Sequence, residues 1–262
     1  MIEPSAITDV DVSLDGHVAI VEMRRPPHNH FDTALMRRLA DAFEALDADA
    51  RCRSIVLCSS GSAFCAGADF SKNTATSEQG AAGAIHPVYE EAIRLFSCTK
   101  PVVAAIHGPA IGGGLGLALV ADFRVGCPEA RFSANFNRLG LHPGFGLSFT
   151  LPRLIGNQHA SLLFFTGRRI GADEAASIGL IDVLTSAAEL RSTAMELARE
   201  IATSAPLAVV STRKTLRKGV VDQIRAAVAH ESHEQNWQTS TEDFKEGVAA
   251  MAKRRTPSFT GK

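Results

Sequence analysis

Three consecutive glycines, Gly112 to Gly114, within HGPAIGGGLGLALVAD of residues 107–122, constrain this chain more than any other feature. Glycine loses the most conformational freedom on ordering, so a helix that opens with three of them gives up stability for some other need. Either the bare backbone lets the helix lie close against a strand, or it exposes amides at a helix N-terminus that favour a negative oxygen. Nucleotide readings fail on spacing. G-x-G-x-x-G begun at Gly112 or Gly114 ends on Leu117 or Leu119, and G-x-x-x-x-G-K fails because Gly108 and Gly113 are followed by Gly114 rather than lysine. A second bare loop, AFCAGAD of residues 63–69, also follows an expected strand. Two loop amides converging on one carbonyl oxygen would make an oxyanion hole.

The bulk composition narrows the partners. The chain has 27 Lys and Arg against 28 Asp and Glu, so no global field favours nucleic acid or an anionic membrane. Residues 102–123 are almost uncharged and long enough to invite a membrane reading. Pro109 and the glycines split them into strand, turn and helix, as in a buried α/β core. Five scattered cysteines without CxxC spacing predict free thiols in a reducing, cytoplasmic setting and no zinc site. The start, MIEPSAITDV, lacks the basic and apolar regions of a secretory signal.

Along the chain, Asp15-Gly16 reads as a hairpin turn between two strands. Asp32 caps a helix with Leu35, Leu39, Phe43 and Leu46 on its apolar face. SIVLCSS is a buried strand, residues 88–98 a helix, PVVAAI a strand, 113–121 a helix and DFRVG a strand. A hairpin-like piece ends at ARFSA, helical segments follow near 146–155 and 158–166, and RRIGADEAASIGLIDVL reads strand, helix, strand. From Glu189 onward the pattern is helical. Strand–helix units giving way to helices predict an α/β core over residues 1–200 and a C-terminal helical region over 201–262. No linker separates them, so the tail packs on its own core or on a neighbour.

AFCAGAD, KPVVAAIHGPAIGGG, LPRLIG, TGRRIGADEAASIGLID and EDFKEGVAAMAKRRTPSF, in that order, resemble the enoyl-CoA hydratase/isomerase (crotonase) family over nearly the whole chain. The resemblance implies a spiral of ββα turns with a C-terminal helical trimerisation region. It implies a homotrimer or a dimer of trimers, and an acyl-CoA thioester as ligand, with CoA part of the substrate and no separate cofactor or metal. Its oxyanion hole falls on the amides of Ala68 and Gly113.

The sequence departs from the family's hydratases at both usual catalytic glutamates, whose positions hold Gly116 and Phe136. His142, before Pro143-Gly144, is a candidate replacement base, since an imidazole titrates near neutrality. Asn135 and Asn137 flank the second lost glutamate and are candidates to orient water or a substrate oxygen, or to satisfy backbone. His86 is expected at the surface and His107 is expected to be structural. On the coenzyme side, the resemblance places Arg25, Asn29 and Ala66 along the CoA. Asp69 is expected near the ligand or as a helix cap, and Lys72 is one residue out of register. Met251 and Arg254 stand where relatives carry an adenine-packing Phe and a phosphate-pairing Lys; both keep the chemistry. Residues 253–255, KRR, also read as a basic helix end.

Phe136, Phe145, Leu147, Phe149, Phe164 and Phe165 are available to line an apolar acyl pocket. The implied function is an acyl-CoA lyase or isomerase that stabilises a thioester enolate. A hydrolase, decarboxylase or C–C lyase of the same superfamily, and a non-catalytic acyl-CoA binder, stand as alternatives.

Overall fold

The computed structural model describes residues 9–68 and 85–262. Strands β1 (Val10–Asp15) and β2 (Val18–Met23) form the expected antiparallel hairpin about Gly16. Helix α1 (Thr33–Ala48) starts where the Asp32 carboxylate accepts from Leu35 N at 2.8 Å, and its expected apolar face is buried. Then come β3 (Ser54–Ser59), α2 (Pro87–Phe96), β4 (Val102–Ile106), β5 (Pro109–Ile111), α3 (Gly113–Ala118) and β6 (Phe123–Gly126).

The main sheet runs β1-β2-β3-β4-β6-β9, parallel after the first pair, with β9 at Val183–Leu184. Parallel neighbours need long crossovers, and α1, α2 and α3 supply them. Both faces are covered, so the central strands are apolar throughout. Ile55, Leu57, Val102, Ala104 and Ile106 face the larger core with α1 and α2. Val56, Cys58, Val103, Ala105 and Val125 face Leu190, Ala194, Met195 and Ala198 of α6 (Leu190–Thr203).

The piece ending at ARFSA is not a hairpin. Its strand β7 (Arg131–Ser133) pairs in parallel with β5 and antiparallel with β8 (Arg169–Gly171), making a second, three-stranded sheet. A short 3-10 turn, Asn135–Leu139, follows β7. Helix α4 (Leu147–Thr166) contains a break at Gly156, φ +78, which joins the two segments expected from the sequence. Beyond α5 (Ala172–Ser177), α6 and α7 (Pro206–Leu216), the chain ends with α8 (Val220–Gln238) and α9 (Glu242–Ala252).

The tail packs on its own core. A Cβ on Gly146 would stand 3.1 Å from Ile224 and 3.7 Å from Val228 of α8. Helix α9 lies on the 3-10 turn, where a Cβ on Gly247 would meet the Leu139 backbone at 2.7 Å. Helix α7 is held differently: its buried residue is Arg213, bonded to Asp122 at 2.8 Å, while Leu207 is 86% exposed and Leu216 71%. All five cysteines are free and buried. Among the described residues no helix is long and apolar enough to cross a membrane.

Candidate active site

Each of the three glycines meets a different demand. Gly112 has φ +55, in the left-handed region, and its amide donates to Ser133 O of β7 at 2.8 Å. A Cβ on Gly113 would stand 2.4 Å from Phe31 Cζ, and one on Gly114 would stand 2.0 Å from the Cys65 carbonyl oxygen. The close-packing reason for the run therefore holds for Gly113 and Gly114, and it leaves the helix N-terminus pressed against the 63–68 loop.

That loop is laced on two sides. Cys65 N donates to Pro109 O at 3.1 Å and Ile111 N to Cys65 O at 3.0 Å, which ties it to β5. Ala66 N donates to His28 O at 3.0 Å and Phe31 N to Gly67 O at 3.1 Å, which ties it to the segment after the hairpin. Gly67, φ +82, is the contact point: a Cβ there would stand 2.8 Å from Ile111 O and 3.7 Å from the Gly113 nitrogen. Ala68 follows immediately. Among the described residues neither the Ala68 nor the Gly113 amide donates a backbone hydrogen bond. Among the described residues these two N–H groups thus have no acceptor, which leaves them to a ligand or water.

Aromatic rings line the glycine side of this pair. Phe31 covers Gly113, and the Phe136 ring, buried, comes within 3.8 Å of where a Gly112 Cβ would be. The Asn135 amide oxygen stands 3.7 Å from the same point. Phe145 fills the space at Gly116, with Cδ1 2.6 Å from where a Cβ would sit. Of the other apolar residues nominated from sequence, Leu147 is buried, Phe149 and Phe164 are half-buried, and Phe165 is 81% exposed, away from any core.

The remaining predicted residues fall into distinct settings. Asn29 is wholly buried. Its oxygen accepts from Arg25 N at 2.9 Å and its nitrogen donates to Ser60 O at 2.6 Å and Ala63 O at 2.7 Å, so the amide is spent on the fold and not available to CoA. The Arg25 guanidinium lies between Asp9 at 2.6 Å and Asp32 at 2.9 Å. Asn137 donates to Phe165 O at 2.8 Å. Asp69 and Lys72 lie outside the described residues. His86 is not a surface side chain: it is half-buried, caps α2 by accepting from Val88 N at 3.3 Å, and its ring lies 5.6 Å from that of Tyr89. His107 is structural as expected, 3.1 Å from Gly61 O, and burial lowers its pKa. Met251 and Arg254 are exposed at the end of α9, where Arg254 takes φ +52.

His142 faces α8. Its ring Nδ1 is 2.8 Å from Pro143 O and the ring meets His230 edge-on at 5.4 Å; its backbone N donates to Gln238 at 2.5 Å. A carbonyl only accepts, so Nδ1 is the donor in the Pro143 contact. Nothing in the sequence singled out Glu231, yet it is wholly buried and accepts from Gly146 N at 2.7 Å, Ser148 N at 2.9 Å and Ser148 Oγ at 2.6 Å. Burial raises its pKa despite these bonds, and it raises that of neighbouring Tyr89. Among the described residues no group of three His, Cys, Asp or Glu side chains is arranged to hold a metal ion.

An α/β core with a glycine-led helix pressed on the 63–68 loop, followed by a helical C-terminal region, has known counterparts. The profile described as enoyl-CoA hydratase/isomerase matches residues 14–262. The short-chain-enoyl-CoA hydratase of Clostridium acetobutylicum is 34% identical over 95% of this chain and 96% of its own. The crotonyl-CoA hydratase of Syntrophomonas wolfei is 31% identical over 98% and 100%. Among solved structures, an enoyl-CoA hydratase/isomerase from Pseudoalteromonas atlantica superposes with TM-score 0.88 at 30% identity, covering 97% of this chain and 100% of that one. A carnitinyl-CoA hydratase from Mycobacterium avium gives 0.85 at 28%, covering 97% and 99%. This chain belongs to the enoyl-CoA hydratase/isomerase family.

Proposed function

We propose that the chain is an acyl-CoA enzyme that holds a thioester carbonyl oxygen between the amides of Ala68 and Gly113 and so stabilises an enolate at the α-carbon. The observation that carries this reading is the pair of amides that have no acceptor among the described residues, on two loops that Gly67 and Gly114 bring into contact. Preorganised donors need no reorientation as charge develops on the oxygen, and removing one costs about 3–4 kcal/mol of transition-state stabilisation. The CoA lies along Arg25 and Ala66, with Met251 and Arg254 at the nucleotide end. His142 is the proposed base, through Nε2. Assembly as a homotrimer or dimer of trimers belongs to the same proposal, and the exposed Leu207 and Leu216 of α7 are surfaces such an assembly would cover. A cytoplasmic location suits the free thiols.

One observation favours a second reading. Gly116 and Phe136 carry no carboxylate, and Phe145 occupies the space at Gly116. A protein that binds acyl-CoA without turnover would look the same here.

Mass spectrometry of the protein incubated with enoyl-, 3-hydroxyacyl-, β-ketoacyl- and aromatic acyl-CoA thioesters tests both. Water gained or lost, or an isomer, is the expected product, and it should vanish in Gly113→Val, whose side chain enters the Phe31 ring. Full turnover in Gly113→Val would overturn the amide assignment. Thioester bound with no product would support the second reading instead.

A further inference from the structure

Phe145 stands at φ +66, in the left-handed region where a bulky side chain is strained. Such strain persists only where the surroundings over-determine it. Here they do: Glu231 pins the amides of Gly146 and Ser148 just beyond it. The ring, wholly buried, is gripped by Phe31, Phe96 and Tyr89 at centroid distances of 5.7, 6.3 and 6.4 Å. It lies along the first turn of α3. A Cβ on Gly113 would be 3.6 Å from Phe145 Cδ2, while one on Gly116 would be 2.6 Å from Cδ1 and 2.7 Å from the Phe145 Cβ. The volume a side chain at 116 would use, one turn from the Gly113 amide, is filled by hydrocarbon.

We propose that Phe145 is a specificity-determining residue: its ring closes the Gly116 side of the site to polar groups, which selects acyl thioesters without a hydroxyl on the β-carbon. This rests on the reading that the Gly113 amide holds the thioester oxygen. With the oxygen there, a β-hydroxyl turned toward Gly116 meets a ring in place of a hydrogen-bonding partner. Leaving a hydroxyl buried and unpaired weakens binding by roughly tenfold or more.

The test is calorimetric titration of the full-length protein with butyryl-CoA and 3-hydroxybutyryl-CoA. Wild type is expected to bind butyryl-CoA at least about tenfold more tightly. In Phe145→Gly, which suits the positive φ and opens the space, the preference should fall to roughly threefold or less. Phe145→Asn, whose side chain also tolerates this backbone region, gives the same readout with a polar group added. Equal affinities in wild type, or a ratio unchanged in either variant with native circular dichroism and Tm, would overturn the inference. Gly113→Val separates it from the underlying reading. Wild-type affinity for both thioesters in that variant would overturn the amide pair, whereas a wild-type ratio near one overturns Phe145 alone.

Discussion

Asn29 turns its side chain into the fold and not toward the CoA that the resemblance set beside it. Its amide makes three bonds, two of them to Ser60 O and Ala63 O at the entry to the 63–68 loop. At φ +51 and fully buried, it is a fastener that sets where Ala68 stands. Asn29→Ala would strip the Ser60 carbonyl and the Arg25 amide of their partner and leave Ala63 O only the 3.5 Å bond from Ser59 Oγ, which predicts a loss of about 2–4 kcal/mol in denaturant unfolding. Thioester affinity should fall with it, because the loop loses its anchor. The glycines were more transparent. Their spacing excluded nucleotides, while the demands that Phe31 and Cys65 make on Gly113 and Gly114 appear only once distant segments are folded together. Gly116 likewise read as a missing carboxylate; that Phe145 had taken its space could not be seen from residues 29 positions apart.

Among the elements, those with a clear period were readable. The hairpin, α1 with its Asp32 cap, β3, β4 and the break in α4 at Gly156 all follow from local sequence. The three-residue strands β5 and β7 did not, since so short a strand carries no usable alternation and is defined by its partners; β8, equally short, was marked by the helix that follows it. Helix α8 hid its contribution in a polar stretch, HESHEQ, from which Glu231 turns inward to cap α4. Glu231→Ala strands three donors and should cost about 2–4 kcal/mol of stability. The pH dependence has a definite sign. A carboxyl whose folded pKa lies above its unfolded value binds its proton more tightly when folded. Its contribution is therefore greatest below the unfolded value of 4.5 and is lost as pH rises through the raised folded one. The difference in unfolding free energy between wild type and Glu231→Gln should accordingly shrink as pH increases across that window. A difference that grows instead would mean that Glu231 gains more from its three bonds than it loses to burial.

At the scale of the whole molecule, the α/β core followed by helices was legible, and the comparisons place the chain in its family over residues 14–262. The C-terminal helices wrap back onto the core. Helix α9 rests on the turn that carries Asn135 and Phe136, and the segment after it is tied down by Ser258 N to Glu246 and Thr260 N to Asp243, each at 2.7 Å. The hydrogen bonds from Arg255 hold the Glu246 carboxyl down at about 2, so this tie stays ionised across the physiological range. The central claim is that the glycine turn and the 63–68 loop grip a single oxygen. A crystal structure of the complex with butyryl-CoA tests it most directly. The account predicts the thioester oxygen about 2.7–3.1 Å from both the Ala68 and Gly113 nitrogens. An acyl-CoA bound with its thioester oxygen facing solvent or a side chain, and both amides still without an acceptor, would contradict it.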